Sequence, residues 1–185
     1  MRRLLLALPF ALLPLAASHA ATEHAQEHQE HPSLAAHEHG AAQLNVALDG
    51  NTLELALESP TMNILGFEHA AKSPADHAAV AKAQQQLQDP LALFGIVASA
   101  GCSVATREVS SPVFAATTPA GAAAEHNDVD ASYSLTCSQP EQLKGIDLSE
   151  LFKSFPATQK IQTQLIGRNG QQGAELSPTN PRLSF

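Results

Sequence analysis

The chain reads as an α+β protein: antiparallel β-hairpins with one main helix and a short second helix, preceded by a disordered His-rich arm. Three observations carry this reading. Two stretches of apolar/polar alternation flank Asp49-Gly50-Asn51, a Ser73-Pro74-Ala75-Asp76 start opens an Ala/Gln-rich stretch, and residues 21–36 show no apolar periodicity. The 185 residues divide on this basis into a leader at 1–20, an arm at 21–36 and a single domain at 37–185.

The leader has the three parts of a secretory signal. Met1-Arg2-Arg3 is basic, Leu4 to Ala17 is apolar but carries Pro9 and Pro14, and Ser18-His19-Ala20 offers small residues where a signal peptidase reads them. The apolar core is too short and too Pro-broken for a stable membrane span, and no Cys marks a lipobox. With no second long apolar stretch, the mature product is expected to be soluble, without membrane insertion. Losing Arg2 and Arg3 takes the formal charge from −8 to −10 with His neutral. So acidic a chain has no electrostatic reason to bind nucleic acid or anionic lipid and good reason to attract cations.

In the arm, His24, His28 and His31 are spaced i, i+4, i+7 among Glu23, Glu27 and Glu30, ahead of Pro32. One helical face would align the three imidazoles. So short a helix is marginal in water, and a bridging metal is a candidate cause of its formation. Order is expected to begin near His39-Gly40. Leu44, Val46 and Leu48 alternate with Gln43, Asn45 and Ala47; Leu53, Leu55 and Leu57 alternate with Glu54, Ala56 and Glu58. This predicts a hairpin with one buried face, its second strand stopped by Ser59-Pro60. Asn63 through His69 reads as a partly apolar loop anchored by Ile64, Leu65 and Phe67.

Ser73, Pro74 and Asp76 supply an N-cap, a first-turn proline and an acid for a helix to about Gln88, with Val80, Ala83 and Leu87 inward. Asp89-Pro90 breaks it before a short apolar turn at Leu91–Phe94. A strand is expected near Cys102 to Val109, then a mobile Ser/Pro/Thr/Ala/Gly-rich loop over 110–125. Val129, Ala131, Tyr133, Leu135 and Cys137 share one parity, which marks a strand with Cys137 inward. Leu148 to Phe155 predicts a short helical turn stopped by Pro156. Lys160–Gly167 and Gln171–Leu176, joined through Arg168-Asn169-Gly170, predict a last hairpin.

Chemistry concentrates in histidine. Five of the nine, His24, His28, His31, His37 and His39, fall within sixteen residues. Neutral imidazole is the commonest protein ligand for zinc, copper and nickel, and clustering lets further nitrogens reach a metal already held. His37 and His39 meet the first strand at i and i+2 and could share one ion. His69 ends the loop after Phe67, and His126-Asn127-Asp128 opens the Cys137 strand. A tetrahedral zinc site could therefore draw on His37, His39, His69 and His126, with Glu68 or Asp128 as ligand or as orienter of a ligand. A single His at a strand end is more often a packing residue, and His77 reads as structural or solvent-facing. Cys102 and Cys137, an even pair in an exported chain without CxxC spacing, predict a disulfide across the two strands that carry them. HExxH, a nucleophile elbow and a Gly-rich phosphate loop are absent, so no enzyme is expected.

At these residues the chain resembles the ZrgA-type periplasmic zinc-uptake proteins. The resemblance lies in His37-Glu38-His39-Gly40, the hairpin to Glu58-Ser59-Pro60, Met62-Asn63 and Gly66-Phe67-Glu68-His69. Leu93-Phe94, Gly101-Cys102, Tyr133 to Cys137, Leu151-Phe152 and Phe155-Pro156 extend it over most of residues 37–185. It implies a soluble periplasmic protein of Gram-negative bacteria that binds Zn2+ and assists its import alongside an ABC-type zinc transporter. Relatives often carry a His/Asp/Glu-rich insert between the two cysteines, whereas residues 110–125 here hold no such ligand before Glu125. The arm is the candidate replacement. Three rival readings remain at this stage: a copper- or nickel-binding buffer, an envelope interaction module that senses acid through histidine, and a zinc hydrolase.

Overall fold

The computed structural model describes residues 38–114 and 127–185. The His-rich arm and the middle of the expected mobile loop lie outside them. Six strands form the main sheet: β1 (Ala41–Asp49), β2 (Thr52–Pro60), β3 (Cys102–Ser110), β4 (Asp128–Cys137), β6 (Lys160–Gly167) and β7 (Gly170–Leu176). Their order is β3-β4-β2-β1-β6-β7, and β5 (Gly145–Asp147) pairs separately with β8 (Arg182–Ser184).

The first hairpin follows its alternation. Gln43↔Glu58 through Asp49↔Thr52 pair antiparallel, and Gly50, at φ 56°, begins the two-residue turn. Leu44, Val46, Leu48, Leu53, Leu55 and Leu57 are all buried. Each contributes about 1.5–3 kcal/mol by leaving water. Strand β4 buries Val129, Ala131, Tyr133, Leu135 and Cys137, again the expected parity. It runs antiparallel to both β2 and β3, and it sets Cys102 directly opposite Cys137, where the disulfide closes.

The two expected hairpins meet through one parallel pairing, Ala41↔Lys160 to Ala47↔Ile166. Parallel neighbours need a long crossover, here the whole chain between β1 and β6, and alternation within a strand says nothing about the direction of its neighbour. The β5–β8 pair was also not expected, because three-residue strands carry too little periodicity to register.

Helices line one face of the sheet. The helix α2 (Pro74–Leu87) starts as predicted: Ser73 Oγ accepts the Asp76 N–H at 3.1 Å and Asp76 Oδ2 accepts the Ser73 N–H at 2.9 Å. Its Ala83 and Leu87 are buried, while Val80 is only half-buried. At its C-terminal end the Tyr133 hydroxyl donates to the Leu87 carbonyl at 2.8 Å, and Phe94 meets the Tyr133 ring edge-on at 5.5 Å. The short helices α3 (Pro90–Leu93) and α4 (Ser149–Ser154) bring in Leu93, Leu151 and Phe152.

Two loop expectations need correction. Thr61–Leu65 is a helical turn, α1, ended by Gly66 in the left-handed region at φ 81°, rather than part of a loop. It has no side-chain N-cap and no periodic apolar face, so tertiary contacts form it. The loop expected over 110–125 starts later: β3 reaches Ser110, and Pro112–Phe114 makes a 3-10 turn that buries Val113. Among the described residues no helix is long and apolar enough to cross a membrane.

Candidate metal centre

The entry to β1, the helix α1 with the residues after it, and the entry to β4 converge at one end of the sheet. Gly40 is the hinge of this corner. It sits at φ 86°, its N–H donates to Asn63 Oδ1 at 2.7 Å, and its carbonyl accepts the N–H groups of Gln159 at 2.7 Å and Lys160 at 2.9 Å. An added Cβ would lie 3.3 Å from Gln159 Cγ. The preceding residue, His39, is thereby aimed from a fixed turn.

Asn63 reaches this turn from α1 and is only 2% exposed. Besides accepting from Gly40, its Nδ2 donates to the Ala41 carbonyl at 2.8 Å and to Ser59 Oγ at 3.2 Å. On the far side of α1, the Asn127 carbonyl accepts the Thr61 N–H at 2.8 Å. Asn127 Nδ2 donates to the Glu68 carbonyl at 2.7 Å. The buried Asn63 amide thus fastens α1 to the start of β1, while Asn127 ties the start of β4 to the first residue of α1 through its backbone carbonyl and to the Glu68 carbonyl through its side-chain amide.

The outcome is a close pair, with His39 Nε2 3.0 Å from Glu68 Oε1. The imidazole is half-exposed and the carboxylate more shielded, at 53% and 21% of their side-chain surfaces. Two donors on a tetrahedral zinc, each about 2.0–2.1 Å from the metal, stand about 3.3–3.4 Å apart. The hydrogen-bonded pair is a few tenths of an ångström closer than that.

Beside it, His69 Nδ1 lies 3.0 Å from the Ala70 carbonyl oxygen. A carbonyl can only accept, so Nδ1 carries the hydrogen and the neutral ring presents Nε2 as a lone pair, the tautomer a metal requires. Phe67 stacks on this ring at 4.7 Å and 16°. Glu38 is diverted from the pair by an ion pair with Lys160 at 3.0 Å. Asp128 opens β4 opposite Pro60, and its charge adds to burial, the larger cause, in raising the Asp130 carboxyl above its ordinary pKa.

Of the sequence candidates, His39 and Glu68 are brought together, His69 lies next in the chain to Glu68, and Asp128 next to the bracing Asn127. His24, His28, His31, His37 and His126 lie outside the described residues; the last two are the sequence neighbours of Glu38 and Asn127. Among the described residues no three His, Cys, Asp or Glu side chains are gathered closely enough to hold a metal ion. His77 is exposed on α2. Asn63 and Asn127 organise the corner; the sequence marks Asn63 only through the Met62-Asn63 resemblance and Asn127 only as the neighbour of two candidate ligands. No curated protein matches the chain. The family described as ZrgA family zinc uptake protein has a model that matches residues 36–185.

Proposed function

The chain belongs to the ZrgA family of zinc uptake proteins, and from that premise we propose that it is exported to the periplasm, captures Zn2+ there and assists its import with an ABC-type zinc transporter. The single observation that supports a capture site in this corner is the His39–Glu68 pair, whose 3.0 Å separation is close to that of two zinc donors. Zinc is cargo in this reading, and no turnover is attached to it.

Capture runs in two tiers. His24, His28 and His31 on the arm sample zinc through weak, fast-exchanging contacts. The ordered corner then holds the ion more tightly. His39 and Glu68 supply the first two donors. The sequence neighbours His37 and His126, together with His69, are the candidates to complete the set. Glu68 serves as ligand or, if displaced, as the acceptor that orients an imidazole; Asp128 is the alternative carboxylate. Copper outcompetes zinc at nitrogen sites of this kind, so selectivity rests on geometry and supply.

Zinc affinity of the mature chain, measured by competition with a chromophoric chelator, tests this. His39→Ala is expected to weaken the tightest site at least tenfold, and His24→Ala, His28→Ala and His31→Ala together to remove only weak sites. Unchanged retention of the first zinc ion in His39→Ala would overturn the assignment.

A further inference from the structure

We infer that Asn63 and Asn127 are positioning residues of the zinc corner, holding His39 and Glu68 at ligating separation before the ion arrives; this rests on the capture-site reading above. The helix α1 has five residues and no side-chain N-cap, so it cannot hold its own place. It is also the only covalent link between β2 and the Glu68-His69 segment. What fixes it and the segment beyond it are the side-chain amides of Asn63 and Asn127, together with the Asn127 backbone carbonyl.

The chemistry of the amide explains why asparagine serves at position 63. An amide offers one accepting oxygen and two donor hydrogens on a short stem. Asn63 uses all of these: the oxygen on Gly40 N–H, the nitrogen on the Ala41 carbonyl and Ser59 Oγ. A carboxylate of the same shape would lose both donors and face the Ala41 carbonyl with like partial charge. An apolar isostere would leave the Gly40 N–H without its acceptor in a part-buried position, and shielded polar groups are rarely left so. Asn127 completes the frame: its backbone carbonyl accepts the N–H of Thr61, the first residue of α1, and its side-chain Nδ2 donates to the Glu68 carbonyl beyond the helix. His39 and Glu68 are each within one residue of a backbone group held by one of these amides. Their separation is therefore set during folding, and zinc meets an ordered pair rather than two free segments.

The test uses the full mature chain with His24→Ala, His28→Ala and His31→Ala, so that its length is kept and arm imidazoles do not mask the corner. Zn2+ affinity by chelator competition is read for Asn63→Ala, His39→Ala and both together, with thermal melting of the metal-free forms alongside. Asn63→Ala is expected to weaken zinc binding about tenfold in the parent and less than twofold when His39 is already gone. Its effect on apo melting is expected to be the same in both backgrounds. Asn127→Ala against Glu68→Ala forms a second cycle, which decides the matter if Asn63→Ala does not fold. Equal weakening in both backgrounds, or none in the parent, overturns the positioning role while leaving the site intact. If His39→Ala and Glu68→Ala themselves leave affinity unchanged, the capture-site reading fails and the inference falls with it.

Discussion

His39 Nε2 and Glu68 Oε1 lie 3.0 Å apart although 29 positions separate them in the chain. The contact joins the residue that enters β1 to the residue that follows α1, so it exists only when the first hairpin and the start of β4 are in place. A folded scaffold holds this pair.

Zinc and protons compete for the same imidazole nitrogens, and ordinary imidazole protonates near pH 6.5. Zinc affinity of the mature chain, measured calorimetrically, is expected to fall by more than tenfold between pH 7.5 and 5.5. A flat profile would mean that histidine is not the main ligand.

Gly40→Ala should damage both fold and site. The backbone there is at φ 86°, and the new Cβ would press on Gln159 Cγ at 3.3 Å. A left-handed conformation costs a residue with a Cβ about 1–2 kcal/mol, so chemical denaturation should show a loss of at least that size. Zinc affinity should fall with it. A stable Gly40→Ala chain with native affinity would show that the turn does not set the direction of His39.

Reducing the Cys102–Cys137 disulfide should destabilise the fold without touching the corner. The bridge closes a loop of 35 positions, which corresponds to about 3–4 kcal/mol from the entropy of the unfolded chain. Melting with and without reductant reads the first effect. Zinc affinity measured well below the lowered melting temperature should be unchanged.

Stability on the acid side should reflect Asp76 and Asp147. Hydrogen bonds from Ser73 and Lys72 backbone groups hold the Asp76 carboxyl down at about 2. The Ser149 hydroxyl, followed by the Arg182 guanidinium, does the same for Asp147, also to about 2. Both folded values lie below the ordinary value of 3.8, so the stabilisation is complete above pH 4 and is lost as pH falls towards 2. Melting temperatures recorded from pH 5 to 2 should decline more shallowly for Asp147→Asn, which has already lost that contribution. An identical slope would remove Asp147 from the explanation.

The Tyr133 hydroxyl is buried and donates to the Leu87 carbonyl at 2.8 Å. Tyr133→Phe leaves that acceptor at the end of α2 without its partner and is expected to cost about 1–3 kcal/mol in denaturant unfolding, with zinc affinity unaltered. A neutral substitution would mean that water replaces the bond.

What was legible in the sequence is what short-range pattern encodes. Alternation at Leu44 to Leu57 and Val129 to Cys137 marked both the strands and their buried faces, and Ser73-Pro74-Ala75-Asp76 marked the start of α2. The parallel β1–β6 contact was not legible, because strand direction relative to a distant neighbour leaves no local trace. Nor was α1, whose five residues are held by the bonds of its own Asn63 to the start of β1 and of Thr61 to Asn127. For the candidate centre, residue type singled out His39, Glu68 and His69. Their proximity to a buried amide frame became visible only in three dimensions, since Asn63 and Asn127 look like ordinary loop polar residues in one dimension.

Anomalous diffraction at the zinc absorption edge from crystals of the zinc-loaded mature chain addresses the capture site most directly. The expected result is a peak about 2.0–2.2 Å from both His39 Nε2 and a Glu68 carboxylate oxygen. Zinc peaks located only elsewhere on the chain, with the His39–Glu68 pair still in direct contact, would contradict it.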